Sequence, residues 1–284
     1  MPICRSWPWW AAAVGAAAVV SLVVLAAPAA GGLSGPQPRA SDSSAVPVSA
    51  ARKAPRLLPD ARSLPARDLS IRRNAAGRRT IRFESGLANP GHGVLELRPN
   101  NLGDCRRNEQ HASQIMFRDR NRNGWYDRDA DNRSVRHDAG CMVFHPSHDH
   151  WHFEAAARYA LWRPDRDRPI VVKGRKMSFC LRDSERVPPK WDIRHYAEYY
   201  GACSQDTRQG ISIGWVDVYG SYLPGQFLTL PDGLPNGLYC LRTTVDPRDQ
   251  LLESDDDNNH SVQSVRIRGD RVAAKPLRRC RSVL

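Results

Sequence analysis

The sequence predicts an all-β protein, a β-sandwich-like core with long loops and little helix. Three observations carry that prediction. Nine short β-type runs follow one another from residue 68 onward. Gly, Pro, Asn and Asp turn signals separate them, and no stretch sustains a helical period. The 284 residues, 41% hydrophobic and 25% charged, suffice for one large domain or two small ones.

Taken in order, residues 1–32 hold one early positive charge (Arg5), a long Ala/Val/Leu run and the small-residue stretch Ala27-Pro28-Ala29. That is the pattern of an export signal. The apolar run is longer than the roughly 7 to 15 residues of an ordinary signal core, so an uncleaved N-terminal anchor stands beside the cleaved reading. Either way the remainder is expected in the cell envelope or outside the cell, and a membrane enters only through such an anchor.

Residues 33–66 are rich in Pro, Ser, Ala and Gly and read as a disordered linker. The folded domain is expected over 67–270, with 271–284 as a tail. Its β-type runs are DLSIRR, TIRFESGLAN, GVLELRP, HFEAAARYALW, PIVVKG, KMSFCLRD, QFLTL, GLYCLRTTV and SVQSVRIRG. Phe153, Ala155, Ala157, Tyr159 and Leu161 give the clearest alternation, one face of a strand that starts inside a histidine run.

Outside the leader, Cys105, Cys141, Cys180, Cys203, Cys240 and Cys280 form an even set suited to disulfides in an oxidising compartment. Proximity in sequence suggests Cys105 with Cys141 and Cys180 with Cys203. No CxxC pair marks a zinc or redox site. The net charge of +12 comes almost wholly from arginine. On an exported chain these scattered arginines argue against a nucleic-acid partner, leaving a solvated surface or attraction to acidic partners such as envelope polymers.

The histidine run is HPSHDHWHFE, residues 145–154. On an extended strand His148, His150 and His152 share one side at about 6.6 Å per two residues, with the outer pair about 13 Å apart unless the strand bends. Three imidazoles suit copper, zinc, iron or nickel. A functional metal is the favoured reading, against a structural metal or a chance cluster.

A second run, FRDRNRNGWYDRDADN, sets Asp119, Asn121, Asn123 and Gly124 in the order of a calcium loop, where alternate oxygens ligate and glycine makes the sharp turn. Ala130 stands where the closing Glu belongs, so Asp127, Asp129 or Asp131 would complete the shell. The alternatives are a bound calcium of structural role and a solvated Asx-rich loop. A third acidic run, VDPRDQLLESDDDNNHSV, reads as architecture between two strands.

HDHWHFE, KMSFCLRD, GACSQDTRQGIS, WVDVYG and VDPRDQLLESDDDNN stand in the order and approximate spacing of the lysyl oxidase family, which residues 68–268 resemble. The resemblance implies copper(II) on His148, His150 and His152, with His145 beside them. It also implies a lysine tyrosylquinone cofactor built from Lys176, which precedes Ser-Phe-Cys-Leu, and Tyr219, which closes the Asp-x-Tyr-Gly-like segment. The quinone carbonyl would condense with a primary amine, a small amine or a protein lysine. Dioxygen would then reoxidise the cofactor, giving an aldehyde, ammonia and hydrogen peroxide. Asp217, two residues from Tyr219, is the candidate base. Cys180 and Cys203 match family cysteines, whereas Ser147, Trp215 and Gly225 stand where animal members carry cysteine. That pattern, with the calcium-like insertion, suggests a microbial branch. Two other readings keep the histidines but not the quinone: a calcium-stabilised binding or adhesion module, and a copper or iron oxygenase.

Overall fold

The computed structural model describes residues 53–100, 105–106, 108–164, 172, 176–194, 196–204, 208–276 and 280. The leader and residues 33–52 lie outside these, as does PIVVKG apart from Val172, which bridges Leu161. Sixteen strands run through the described chain. They are β1 (Arg56–Leu57), β2 (Arg62–Ser63), β3 (Arg67–Arg73), β4 (Arg79–Asn89), β5 (Leu95–Asn100), β6 (Glu109–Arg118), β7 (Ser134–His145) and β8 (His150–Trp162). Then follow β9 (Lys176–Phe179), β10 (Glu185–Arg186), β11 (Gln209–Ile211), β12 (Trp215–Tyr219), β13 (Phe227–Thr229), β14 (Gly237–Val245), β15 (His260–Arg268) and β16 (Arg271–Lys275). One 3-10 turn, Pro189–Trp191, is the helical element among the described residues, and none of their helices is long and apolar enough to cross a membrane. The expectation of an all-β chain holds.

The strands form two antiparallel sheets. The larger runs β11-β5-β6-β7-β8-β14-β15-β16, with β1 on β6 and β9 on β8. The smaller is built around β4, which pairs β12 and β13 along one edge and β2 and β3 along the other. Side chains alternate across each pleat, so a strand facing the other sheet buries every second residue. Phe83 and Ile81 of β4 meet Tyr159 and Leu161 of β8 and Tyr239 and Leu241 of β14 in one core. Phe153, Ala157, Tyr159 and Leu161 are all buried, as the alternation in β8 requires, and Ala156 is buried beside them. The side chain of Ala155 lies outside the described part.

Tyr159 buries a hydroxyl as well as a ring. The Ser85 hydroxyl lies 2.8 Å from it and the Gln226 amide within about 3 Å, while Phe83 packs edge-on at 4.7 Å. An interior hydroxyl needs such partners, since burying it unbonded offsets much of what the burial of its ring contributes.

Both ends of the chain correct the sequence reading. Residues 53–66 were expected in the linker, yet β1 pairs β6 at Leu57↔Phe117 and β2 pairs β4 at Ser63↔Leu87. Leu57, Ala61 and Ala66 are buried. Prolines and alanines here act as edge-strand and packing residues, a use that lacks the periodicity of a two-sided strand. At the other end, 271–284 is more than a tail: β16 pairs β15, and Cys280 is disulfide-bonded to Cys240. Cys105–Cys141 and Cys180–Cys203 also form, the pairings that sequence proximity suggested. The hairpin β6–β7 was not foreseen. Its runs EQHASQIMFR and SVRHDAGCMVFH mix polar residues through both faces, and the alternation breaks at a register shift between His111 and Ser113.

Candidate metal centre and active site

β7 and β8 are joined where the histidines lie. His145 ends β7 and pairs with His150, the first residue of β8. Between them the His145 carbonyl accepts the amides of both His148 and Asp149, at 2.9 and 3.0 Å, and Asp149 takes the left-handed conformation at φ 57°. Asp tolerates that region better than most residues. The turn corrects one expectation: His148 is not on the strand with His150 and His152. It is carried back over them, and this removes the separation of about 13 Å that an ideal strand would impose.

The three rings converge. His152 Nε2 lies 3.0 Å from His150 Nε2 and 3.3 Å from His148 Nδ1. Nitrogens at such spacing make a donor set for one ion. His145 stacks on His148 at 4.2 Å and on His152 at 4.9 Å, bracing the cluster from behind, and Ser147 Oγ lies 3.0 Å from His145 Nδ1. Burial, then the neighbouring imidazoles, hold His152 down at about 3; the same causes lower His150, and burial with His148 lowers His145. His152, His150 and His145 are thus biased toward the neutral form, whose lone pair an imidazole ligand requires. Among the described residues two other groups have metal-ligand proximity, but both include a disulfide pair, Cys180–Cys203 or Cys105–Cys141, which offers no thiolate.

The histidines line one end of a cavity of about 500 Å³. Asp217 and Tyr219 of β12 line it from the smaller sheet, and Met177, Ser178 and Phe179 of β9 from the larger. Lys176 is the first residue of β9, paired with Arg158 of β8; its side chain lies outside the described part. The ring of Tyr219 stacks on Phe179 at 3.6 Å and 15°, and its hydroxyl donates to the Cys180 carbonyl at 2.7 Å. The structure therefore brings His148, His150, His152, Asp217 and Tyr219 around one space and sets the strand of Lys176 in its wall.

Asp217 is 1% exposed, one of its carboxylate oxygens has no hydrogen-bond partner, and the Ser184 hydroxyl reaches the other only at 3.5 Å. Burial drives its pKa well above the usual carboxylate range. Burial and the adjacent Asp217 raise Tyr219 likewise.

Several contributors were missed in the sequence. Arg182 lines the cavity, and Asp183 beside it, buried, accepts the amides of Tyr199, Tyr200 and Ser212 and the Ser212 hydroxyl. That hub ties down the segment ending at Cys203, another wall of the cavity. Its signal was the Leu-Arg-Asp end of KMSFCLRD. The residues at the family's cysteine positions have structural roles of their own. Trp215 donates its indole N–H to the Tyr196 carbonyl at 2.9 Å under the Arg186 guanidinium. Gly225 sits at φ +83°, with the Met177 methyl packed where a Cβ would stand.

The oxygens of the calcium-like run are turned to backbone amides. Asp119 accepts from Asn123 and Gly124, Asn121 from Asn123, Asn123 from Trp125, Asp127 from Asp129, and Asp131 from Arg120 and Asp127. Among the described residues this loop does not gather three carboxylates at metal-ligand proximity, and Asp129 stands exposed. Side-chain-to-amide bonds of this kind suit an Asx-rich loop and a calcium loop alike.

Comparison with known proteins adds an independent line. The lysyl oxidase family model matches residues 106–276. The match begins later than the resemblance read from residue 68, leaving β1–β5 outside it. Lysyl oxidase homolog 2 of Gallus gallus is 31% identical over 131 residues, 46% of this chain and 16% of that protein. Protein-lysine 6-oxidase is 33% identical over 132 residues in Gallus gallus and 32% over 132 in Homo sapiens, each match spanning 46% of this chain and 29% of the relative. The chain thus matches less than a third of the length of these relatives. With the family model covering more than half of its residues, the chain belongs to the lysyl oxidase family.

Proposed function

We propose that the protein is an exported, copper-dependent amine oxidase. It converts primary amines, small or carried on protein lysines, to aldehydes with dioxygen as acceptor, releasing ammonia and hydrogen peroxide. The observation that carries this reading is the single cavity of about 500 Å³ that has the three convergent imidazoles at one end and Tyr219 and Asp217 in its wall. The donor set fits copper(II), which favours imidazole nitrogen. His148, His150 and His152 would hold it, with His145 supporting them. Lys176 and Tyr219 would supply the lysine tyrosylquinone, an electrophilic carbonyl and electron sink for amine oxidation.

The chain's own residues supply position and proton transfer. Phe179 and the Cys180 carbonyl fix the plane and the hydroxyl of Tyr219. Asp217, held in a dry wall beside it, is the group placed to take the proton from the substrate carbon, and its raised affinity for protons matches that task. The disulfide Cys180–Cys203 pins the wall in an oxidising compartment.

Replacing Lys176 with Arg in the copper-loaded protein tests this reading. The expected outcome is loss of hydrogen peroxide release from a panel of primary amines, to below 1% of wild type, with copper still bound at one ion per chain. Undiminished peroxide release by K176R would contradict the quinone and favour a copper oxygenase built on the same triad.

A further inference from the structure

The run Arg118-Asp119-Arg120-Asn121-Arg122-Asn123 alternates cations with short oxygen-bearing residues, and the metal centre makes no use of it. Its fold explains the alternation. Asp119 and Asp131 are buried and spent on backbone amides, so two carboxylates of this loop that could neutralise its arginines face inward. Arg120 and Arg122 are left exposed. With Arg118, Arg133 and Lys53 they line a groove of about 570 Å³. Among the described residues none of these five cations has a carboxylate within ion-pair distance.

Crowding like charges around one concavity raises its potential and costs stability unless an anion is bound there. Guanidinium groups are forked donors matched to phosphate oxygens, and here the amide-capped loop fixes the backbone that presents them. The groove begins beside Ser134, at the opposite end of β7 from His145; the twelve residues of that strand put it roughly 35 Å from the metal centre. It is therefore a surface separate from the catalytic cavity.

We infer that this groove binds a linear polyanion bearing phosphate groups, as a tether that holds the protein on an anionic polymer. A concave groove does not lie flat against a bilayer. Its lining contains no aromatic side chain, so it has no platform on which nucleic-acid bases could stack. A polymer read through its charge alone is what remains.

The test uses the full secreted chain and end-labelled polyphosphate, with binding followed by fluorescence anisotropy across a salt series. Five contacts predict a slope of log K against log salt near about −3.5, taking roughly 0.7 per charge for a single strand. The exposed double reversal R120E/R122E is expected to weaken binding at least tenfold and to reduce the slope by about 1.4. The reversal R72E/R78E, an equal change of charge on other exposed residues, is expected to leave binding within about twofold. Four results would overturn the inference: no binding at low salt, equal loss in the two variants, tighter association with anionic phospholipid vesicles, or tighter binding of a single-stranded oligonucleotide of equal charge.

Discussion

Asp217 stands in the wall of the cavity with one carboxylate oxygen unbonded, and its affinity for protons is raised by burial. A general base works only when ionised, so a base of raised pKa moves the acid limb of the rate profile upward. The expected kcat/KM against pH therefore rises at a higher pH than an ordinary carboxylate would give, and stays low through the range where exposed aspartates are already charged. Asp217→Asn should remove that limb and lower kcat by about 10²- to 10⁴-fold, the usual worth of a positioned base. Stopped-flow reduction under substrate, measured from pH 5 to 9, reads both effects. An unchanged limb in D217N would transfer the role to another residue. At this scale the sequence was legible where chemistry follows from residue type: imidazoles for a metal, a carboxylate two residues from the tyrosine. KMSFCLRD ends on Arg182 and Asp183, but the sequence did not give their roles, because a charged residue in a loop looks the same whether it faces solvent or anchors a wall.

The element that decides the candidate metal centre is the turn between β7 and β8. Strand geometry alone would spread the three histidines, and the left-handed residue Asp149 is what folds His148 back. Glycine adopts that conformation freely, whereas a β-branched residue meets a penalty of about 1–2 kcal/mol there. Asp149→Gly is therefore expected to keep copper affinity, and Asp149→Val, which lacks the same carboxylate, to weaken it about tenfold in a competition titration with a chromophoric chelator. Equal affinities in the two variants would show that the turn does not set the ligand geometry. The period-2 pattern of β8 was readable because one face is buried against the other sheet. The turn was not, since HPSHDH contains no glycine and only a proline to mark a break. The strands β1, β2 and β16 escaped for a related reason: short edge strands bury single residues such as Leu57, and a single buried residue has no period.

For the whole molecule, two sheets enclose the cavity between β8, β9 and β12 with the Cys180–Cys203 disulfide in its wall, and the family assignment rests on residues 106–276. The five strands before the match are as firmly built in: β4 joins β12, which carries Asp217 and Tyr219, to the core through Ile81 and Phe83. The order of motifs along the chain pointed to the candidate site, while packing alone could reveal the basic groove, where buried acids leave exposed arginines without an ion-pair partner among the described residues. The central claim is that Lys176 and Tyr219, on strands of different sheets, become one cofactor. Peptide mass spectrometry of the copper-loaded, aerated protein tests it most directly. The account requires a covalently cross-linked Lys176–Tyr219 peptide that is absent from the copper-free protein and stains for a redox-cycling quinone. Unmodified Lys176 and Tyr219 peptides in full yield, with copper bound, would contradict it.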